Sequence, residues 1–341
     1  MHVTIKDIAV KSGVSMATVS RVINKAPHVS QKAEQKVLKA IDELNYIPSA
    51  YARGLSRHES DIIGIVIPEI TNPFFGEIIT GVTQIADEKG LNILIFNTDE
   101  DAAKEARVFQ ILQEYRVRGI IVTPVTGINT FDKDYVRLFE KLNIPIVLMD
   151  RRIKNGRFDG VFFDDRAALY QATSLLLENE HRNITILTGN PKHVITQGRV
   201  QGYRDAFEAY NVPVSEKNLI QGKFTIESAY EITKDLITDK KLPTAFVGIS
   251  NMLSMGCLKA LYEYHISIPE DISFVGYDKL EFFDLLNINL TLVEKDAVEM
   301  GRRAAMLMID KLSGKNTQNR VVLMPEMVIR GSEQFPARNQ V

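Results

Sequence analysis

Arg21 stands beside Ser20 and within one and a half turns of Met16 and Ala17, a grouping suited to contact with base edges in a DNA groove. A guanidinium fork donates to guanine O6 and N7 together, worth roughly 1 to 3 kcal/mol of discrimination, and Met16 and Ala17 offer apolar contact to thymine methyls. Thr4, Ser15, Thr18, Asn24 and Lys25 are short polar or cationic residues of the kind that hold phosphates and set register without reading sequence. A second set lies far along the chain, immediately after apolar runs: Phe74-Phe75, Asp150-Arg151, Ser250-Asn251 and Tyr277-Asp278. Residues at the carboxyl ends of strands are where open α/β sheets hold their ligands. An Asp-Arg pair there also serves as an exposed turn, and a Phe at a helix start also serves as core.

The elements that must position Arg21 are short helices. Thr4 followed by Asp7 forms a capping box that opens a helix with Ile5, Ile8 and Ala9 on one face, and the helix ends at Gly13. Ser15 caps a second helix whose Val19, Val22 and Ile23 are buried. Ser30 caps a third, with Ala33, Val37, Ile41 and Leu44 at helical spacing. Two short helices joined by a tight glycine turn, closed by a third, form a helix-turn-helix plan. A three-helix protein-binding module shares this periodicity, and the charge distribution bears on the choice. Residues 1–60 carry nine Lys/Arg against five Asp/Glu, and the remainder carries 32 against 38. A basic head on an acidic body is the electrostatic footprint of a polyanion-binding module.

Beyond residue 60 the pattern changes to alternating strands and helices. Ile62-Ile63-Gly64-Ile65-Val66-Ile67 is a continuous apolar run, as a parallel strand covered on both faces requires. Runs at 93–96, 119–122 and 145–149 follow, with helices near 74–89, 101–115 and 131–142; a second series begins at 184–187, 245–249 and 272–276. Such alternation predicts two parallel sheets with helices on both faces. At 341 residues, 45% hydrophobic and 25% charged, the chain suits two or three compact units. Its single cysteine, Cys257, excludes an internal disulfide and a cysteine-rich metal site, so no metal and no cofactor are expected. With no leader pattern and no run approaching about 18 apolar residues, a cytoplasmic protein with no membrane partner is expected. Phosphate-loop, dinucleotide, nucleophile-elbow and zinc-protease motifs are all missing, which argues against an enzyme. A transport solute-binding protein shares the body pattern and has no use for a basic helix-turn-helix head.

Thr4-Ile5-Lys6-Asp7-Ile8-Ala9, Gly13-Val14-Ser15, Thr18-Val19-Ser20-Arg21-Val22-Ile23-Asn24 and Leu44-Asn45-Tyr46-Ile47-Pro48 resemble the DNA-binding head of the LacI/GalR family of bacterial transcription regulators. The run 14–22 with Ala52-Arg53-Gly54-Leu55 is most similar to catabolite-control-type members. The resemblance implies a multidomain fold: an all-α helix-turn-helix head (1–47), a hinge helix (48–60), and an α/β two-lobed body of the periplasmic-binding type. The implied lobes are 61–161 plus 292–324 and 162–291 plus 325–341. The hinge segment is too short to be helical alone, and the resemblance gives it a role in a minor groove: Leu55 wedges the central CG step of a palindromic operator, with Ala52 and Arg53 beside it. Phe74, Phe75, Asp150, Arg151, Arg199, Phe224, Ser250 and Asp278 match positions that bind a sugar-like effector.

Lys295 and Ser250-Asn251 depart from the common family pattern. If Lys295, Arg151, Arg199 and His193 all face the cleft, they outnumber Asp150 and Asp278, and an anionic sugar is the expected effector; if Lys295 and His193 point to solvent, that expectation lapses. The resemblance further implies a homodimer and an allosterically controlled repressor of carbohydrate genes. Catabolite-control-type relatives use a phosphorylated carrier protein as corepressor, which stands as the alternative.

Overall fold

The computed structural model describes residues 3–23, 27–46, 60–125, 131–153, 158–191, 193–315 and 319–334, the side chains of 131–135 excepted. The chain divides into two compact units, Met1–Asp61 and Ile62–Val341.

The first unit contains helices α1 (Ile5–Ser12), α2 (Met16–Ile23) and α3 (Gln31–Glu43). The Asp7 amide donates to Thr4 Oγ1 and the Thr4 amide to Asp7 Oδ2, completing the expected capping box. Gly13 ends α1 at φ 69°, the left-handed region that favours glycine, and so turns the chain into α2. Ile8, Val19, Val22, Val37, Ala40 and Tyr46 form one small core.

The second unit carries two six-stranded sheets. The first is built from β1 (Ile62–Ile67), β2 (Asn92–Asn97), β3 (Gly119–Val122), β4 (Ile146–Met149), β5 (Asp159–Phe163) and β11 (Arg320–Leu323), in the order β11-β5-β4-β3-β1-β2 and parallel throughout. The second is built from β6 (Ile184–Thr188), β7 (Leu219–Gln221), β8 (Ala245–Val247), β9 (Ser273–Tyr277), β10 (Thr291–Glu294) and β12 (Glu326–Val328), in the order β12-β10-β9-β8-β6-β7 with β12 antiparallel.

The apolar runs are explained by burial on both faces. Ile63, Ile65 and Ile67 of β1 pack into one core, and Val66 of the same strand into another. The helices that cover the strands are α4 (Pro73–Glu88), α5 (Ala102–Glu114), α6 (Phe131–Leu142), α7 (Asp165–Glu178), α8 (Val194–Ala209), α9 (Ile226–Thr238), α10 (Asn251–Glu263), the short α11 (Glu281–Leu285) and α12 (Ala297–Leu312).

The chain crosses between lobes after β5, after β10 and after β11. Strand pairing carries the first lobe to Phe163 and the second to Glu294, two and three residues beyond the boundaries expected at 161 and 291. The cause is side-chain burial. Phe162 and Phe163 still fill the first lobe's two cores, and Leu292 and Val293 fill the second lobe's.

Helix pairs meet at glycines. A Cβ on Gly301 of α12 would lie 2.1 Å from the Ile78 carbonyl of α4, and one on Gly81 would lie 2.0 Å from the Val298 carbonyl. Gly202 of α8 meets the Arg166 carbonyl of α7 in the same way, at 2.1 Å. Such seams let α12 dock on the first lobe after the chain has left it. Gly301→Ala gains roughly 1 kcal/mol of helix propensity, yet overpacking this seam is expected to lower stability by about 1 to 3 kcal/mol net. Urea denaturation checks this, and an unchanged midpoint would show that the seam can relax.

Candidate functional site

Two surfaces collect the residues nominated by sequence. On the head, Ser15 precedes α2 and caps it: the Thr18 amide donates to Ser15 Oγ at 3.2 Å, and the Ser15 and Thr18 hydroxyls are 2.9 Å apart. With Val19 and Val22 buried, helical geometry leaves Met16, Ala17 and Arg21 exposed on one side, and Ser20 is half-buried beside them. Thr4 is exposed at the start of α1. Asn24, Lys25, Ala52, Arg53 and Leu55 lie outside the described residues.

In the body, the carboxyl ends of the strands and the starts of the following helices enclose a cavity of about 60 Å³ between the lobes. Phe74, Phe75, Asp150, Arg151, Arg199, Phe224, Ser250, Asp278 and Lys295 all line it, so the fold gathers nine of the ten residues nominated for an effector. The tenth, His193, does not line it. It precedes α8 without a side-chain capping bond, and its Nδ1 is buried with no hydrogen-bond partner among the described residues. Burial and the neighbouring Arg151 hold its pKa below the ordinary histidine value.

Asp150 and Asp278 occupy equivalent places in the two lobes, each the first residue after a central strand, β4 or β9. Both take the left-handed backbone, at φ 60° and 62°, a conformation that a short polar side chain tolerates better than a bulky one. Both are buried. Asp150 Oδ1 has no hydrogen-bond partner, and burial pushes its pKa up. Asp278 Oδ1 lies 3.2 Å from Lys295 Nζ without an aligned hydrogen bond. Strained backbone at buried, unsatisfied carboxylates is a pattern that marks functional sites.

Each cation of the cavity already has an anion. Arg151 donates to both oxygens of Glu100, at 2.8 and 2.6 Å, leaving its Nε unpartnered. Arg199 donates from Nε to Asp165 Oδ1 at 2.8 Å and from Nη1 to the Ile249 carbonyl, and its guanidinium lies 4.7 Å from the centre of the Tyr277 ring. Tyr277 Oη in turn donates to Asp165 Oδ1 at 2.8 Å. Lys295 Nζ is 4.0 Å from the Phe74 ring centre and 5.2 Å from those of Phe163 and Tyr277.

The cationic surplus expected from sequence is therefore absent. Glu69, Glu100, Asp150 and Asp278 line the cavity against Arg151, Arg199 and Lys295, with Asp165 bound to Arg199 behind them. Glu77 of α4 faces further carboxylates. Burial, then Asp278, Asp296 and Glu281, raise its pKa to about 7. Glu105 of α5 is buried, accepts the Val125 amide at 3.0 Å, and is pushed up to about 8 by burial.

Asn72 caps α4, its Oδ1 accepting from the Phe74 amide at 3.1 Å, and the same oxygen accepts from Asn251 Nδ2 of the other lobe at 2.8 Å. Ser250 Oγ caps α10 by accepting from the Leu253 amide. Phe224 packs on Gly189, where a Cβ would lie 1.9 Å from the ring. Glu69, Glu100, Ile195, Met252 and, behind the wall, Asp165 escaped the sequence reading. Glu69 and Glu100 follow β1 and β2, so the strand-end rule that found Asp150 also reaches them. Among the described residues no cluster of His, Cys, Asp and Glu is arranged to hold a metal ion, and no helix is long and apolar enough to cross a membrane.

Residues 4–49 match the model of the bacterial regulatory proteins of the lacI family, and residues 60–335 match that of the periplasmic binding proteins and sugar binding domain of the LacI family. The HTH-type transcriptional regulator DegA of Bacillus subtilis is 34% identical, the alignment covering 97% of this chain and 98% of DegA. The HTH-type transcriptional repressor PurR of Vibrio parahaemolyticus is 32% identical over 96% of this chain and 98% of its own length. Among solved structures, a lac repressor dimer bound to operator and an anti-inducer superposes with a TM-score of 0.84 at 24% identity, over 98% of this chain and all of that one. A complex of the transcriptional regulator CelR with cellobiose gives 0.72 at 26% identity, over 97% of this chain and all of that one. With its head and its body both matched and its relatives regulators rather than enzymes, the chain belongs to the LacI family and is a DNA-binding transcriptional regulator.

Proposed function

We propose that the chain acts in the cytoplasm as a dimeric repressor of carbohydrate-metabolism genes, with a neutral, polyhydroxylated effector held in the interlobe cavity. The observation that carries this reading is the pair of buried left-handed carboxylates, Asp150 and Asp278, lining a cavity with the rings of Phe74, Phe75 and Phe224. Carboxylates without a hydrogen-bond donor accept hydroxyls, the free Arg151 Nε donates to one, and the rings stack on the apolar face of a sugar. Because each cation is already neutralised, the site selects by hydrogen-bond geometry, and an anionic group meets no cation without a counter-ion. The CelR–cellobiose complex is a solved relative with such a ligand.

A cavity of about 60 Å³ holds only a handful of water-sized groups, at roughly 10 to 15 Å³ for each. A sugar ring therefore enters only if the lobes part, which strains or breaks the Asn72–Asn251 hydrogen bond and the contacts of Lys295. Effector and operator are thereby coupled, reciprocally and typically by 1 to 3 kcal/mol. The head reads the operator through Arg21, with Met16, Ala17 and Ser20 at neighbouring bases and Thr4, Ser15, Thr18, Asn24 and Lys25 on phosphates. Ala52, Arg53 and Leu55 act in the minor groove. Dimerisation supplies the second half-site. Phe282, Leu285, Leu286 and Ile288, on and after α11, expose apolar side chains, Leu285 at 79% and Leu286 at 66%, and a second copy of the chain covers them.

Operator affinity measured by fluorescence anisotropy at fixed salt across neutral sugars, sugar acids and sugar phosphates should shift with a neutral sugar; a shift produced only by the anionic compounds would overturn the neutral assignment. Asp150→Asn should abolish that response and leave unliganded operator affinity within about threefold, a change below about 1 kcal/mol. Arg21→Ala should relax base preference at one position per half-site and cost about 1 to 3 kcal/mol per contact; uniform weakening on every operator variant would assign Arg21 to phosphate instead. The double substitution Leu285→Asp, Leu286→Asp should yield monomers in sedimentation and lose tight operator binding, whereas an intact dimer would place the interface elsewhere.

A further inference from the structure

The cavity has a larger neighbour. On the other side of Asp150, Arg151 and Ile195, which line both, a compartment of about 400 Å³ opens beyond the carboxyl ends of β4, β5 and β11. Sheet order explains the arrangement. The inner cavity meets the ends of β1, β2 and β4 at Glu69, Glu100 and Asp150, whereas β5 and β11 lie beyond β4 toward the opposite edge. The two compartments share a wall of Asp150, Arg151 and Ile195, and the left-handed turn at Asp150 belongs to that wall.

We propose that this outer compartment binds the second unit of the effector, which is then at least two sugar rings long. The inference rests on the polyhydroxylated reading of the inner cavity and extends it. Three observations on the chain's own residues support it.

The shared wall carries two buried polar atoms without partners, Asp150 Oδ1 and Arg151 Nε, an acceptor and a donor at the point where a ligand would pass from one compartment to the other. The lining balances charge, Arg151, Arg152 and Arg166 against Asp150, Asp164 and Asp165, which suits hydroxyls better than a net ion. Gly198 lines the outer compartment, and its position in α8 has no packing reason to be glycine. A Cβ there would meet only Asp165 Cβ, at 4.0 Å, whereas one turn on at Gly202 it would collide with backbone at 2.1 Å. A helix-interior glycine costs about 1 kcal/mol relative to alanine, so an unpacked one that borders a cavity keeps that cavity open.

The test titrates the full-length chain by calorimetry with glucose and galactose, and with cellobiose, maltose and lactose. It is repeated on Gly198→Leu, which fills the compartment from α8 and improves helix propensity, and on Val322→Trp, which fills it from an exposed position of β11. At least one disaccharide should bind the unaltered chain tenfold or more tightly than its monosaccharides. Both filling variants should erase that advantage and keep monosaccharide affinity within threefold. A disaccharide advantage that survives both variants overturns the outer site. Disaccharides that bind no better than monosaccharides overturn the extension and leave the inner site standing, whereas a chain that binds none of the five overturns both readings.

Discussion

A lysine ammonium enclosed between the lobes is the contact that joins side chains of both lobes at the cavity. Lys295 follows the last residue of β10, at the second crossing, and its Nζ reaches rings from both sides: Phe74 and Phe163 of the first lobe, Tyr277 of the second, with Asp278 at 3.2 Å. A desolvated cation–π contact contributes about 2 kcal/mol, and removing an ammonium from water costs several kcal/mol. The rings and the carboxylate are therefore needed together. Drawing the lobes apart would either return the ammonium to water or leave it buried with fewer partners, so such a motion would exchange these contacts for solvation. That exchange is a physical basis for two discrete states, which a ligand can bias only through unequal affinity for them.

Rigid lobes make such an exchange legible at a distance. The glycine seams between α4 and α12 and between α7 and α8 bring helix backbones to a separation that admits no side chain. Each lobe is therefore packed as a unit, and the three crossings are where a relative motion of the lobes would be absorbed. Lys295 and Asp296 form one of them. Asp296 also caps α12, accepting from the Glu299 amide at 2.7 Å, so the lysine that touches the cavity is fixed at the start of a helix packed against the first lobe.

The sequence made the strand ends legible because burial on both faces leaves continuous apolar runs, and a polar residue after such a run stands out. Asp150, Arg151, Ser250 and Asp278 were reached that way, and Arg199 and Phe224 only by resemblance. Charge balance was not legible. Arg151 is paired with Glu100, 51 positions away, and Arg199 with Asp165, 34 positions away, and no local pattern reveals such partners. Counting cations near the cleft without their anions produced a surplus that the fold removes. The lobe boundaries slipped for a related reason: Phe162-Phe163 and Thr291-Leu292-Val293-Glu294 look the same whether a strand ends before them or through them, and pairing with a neighbouring strand decides. His193 stands beside Arg151 and Glu100 without lining the cavity, and spacing carries no information on which way the residue before a helix points.

The two binding surfaces consequently rest on different physics. The head presents Arg21 exposed beside a basic helix-turn-helix, so its attraction to a polyanion falls as salt rises. In the cavity, guanidinium and ammonium groups are spent on Glu100, Asp165 and Asp278, and what remains for a ligand is the directional capacity of Asp150 Oδ1 and Arg151 Nε. Directional hydrogen bonds in a buried site are weakly screened and discriminate by shape, since a buried group left unpaired costs about 1 to 3 kcal/mol. A regulator built this way would keep long-range electrostatic capture for DNA and leave its cleft to recognition at contact, so a change in ionic strength would act on operator binding first.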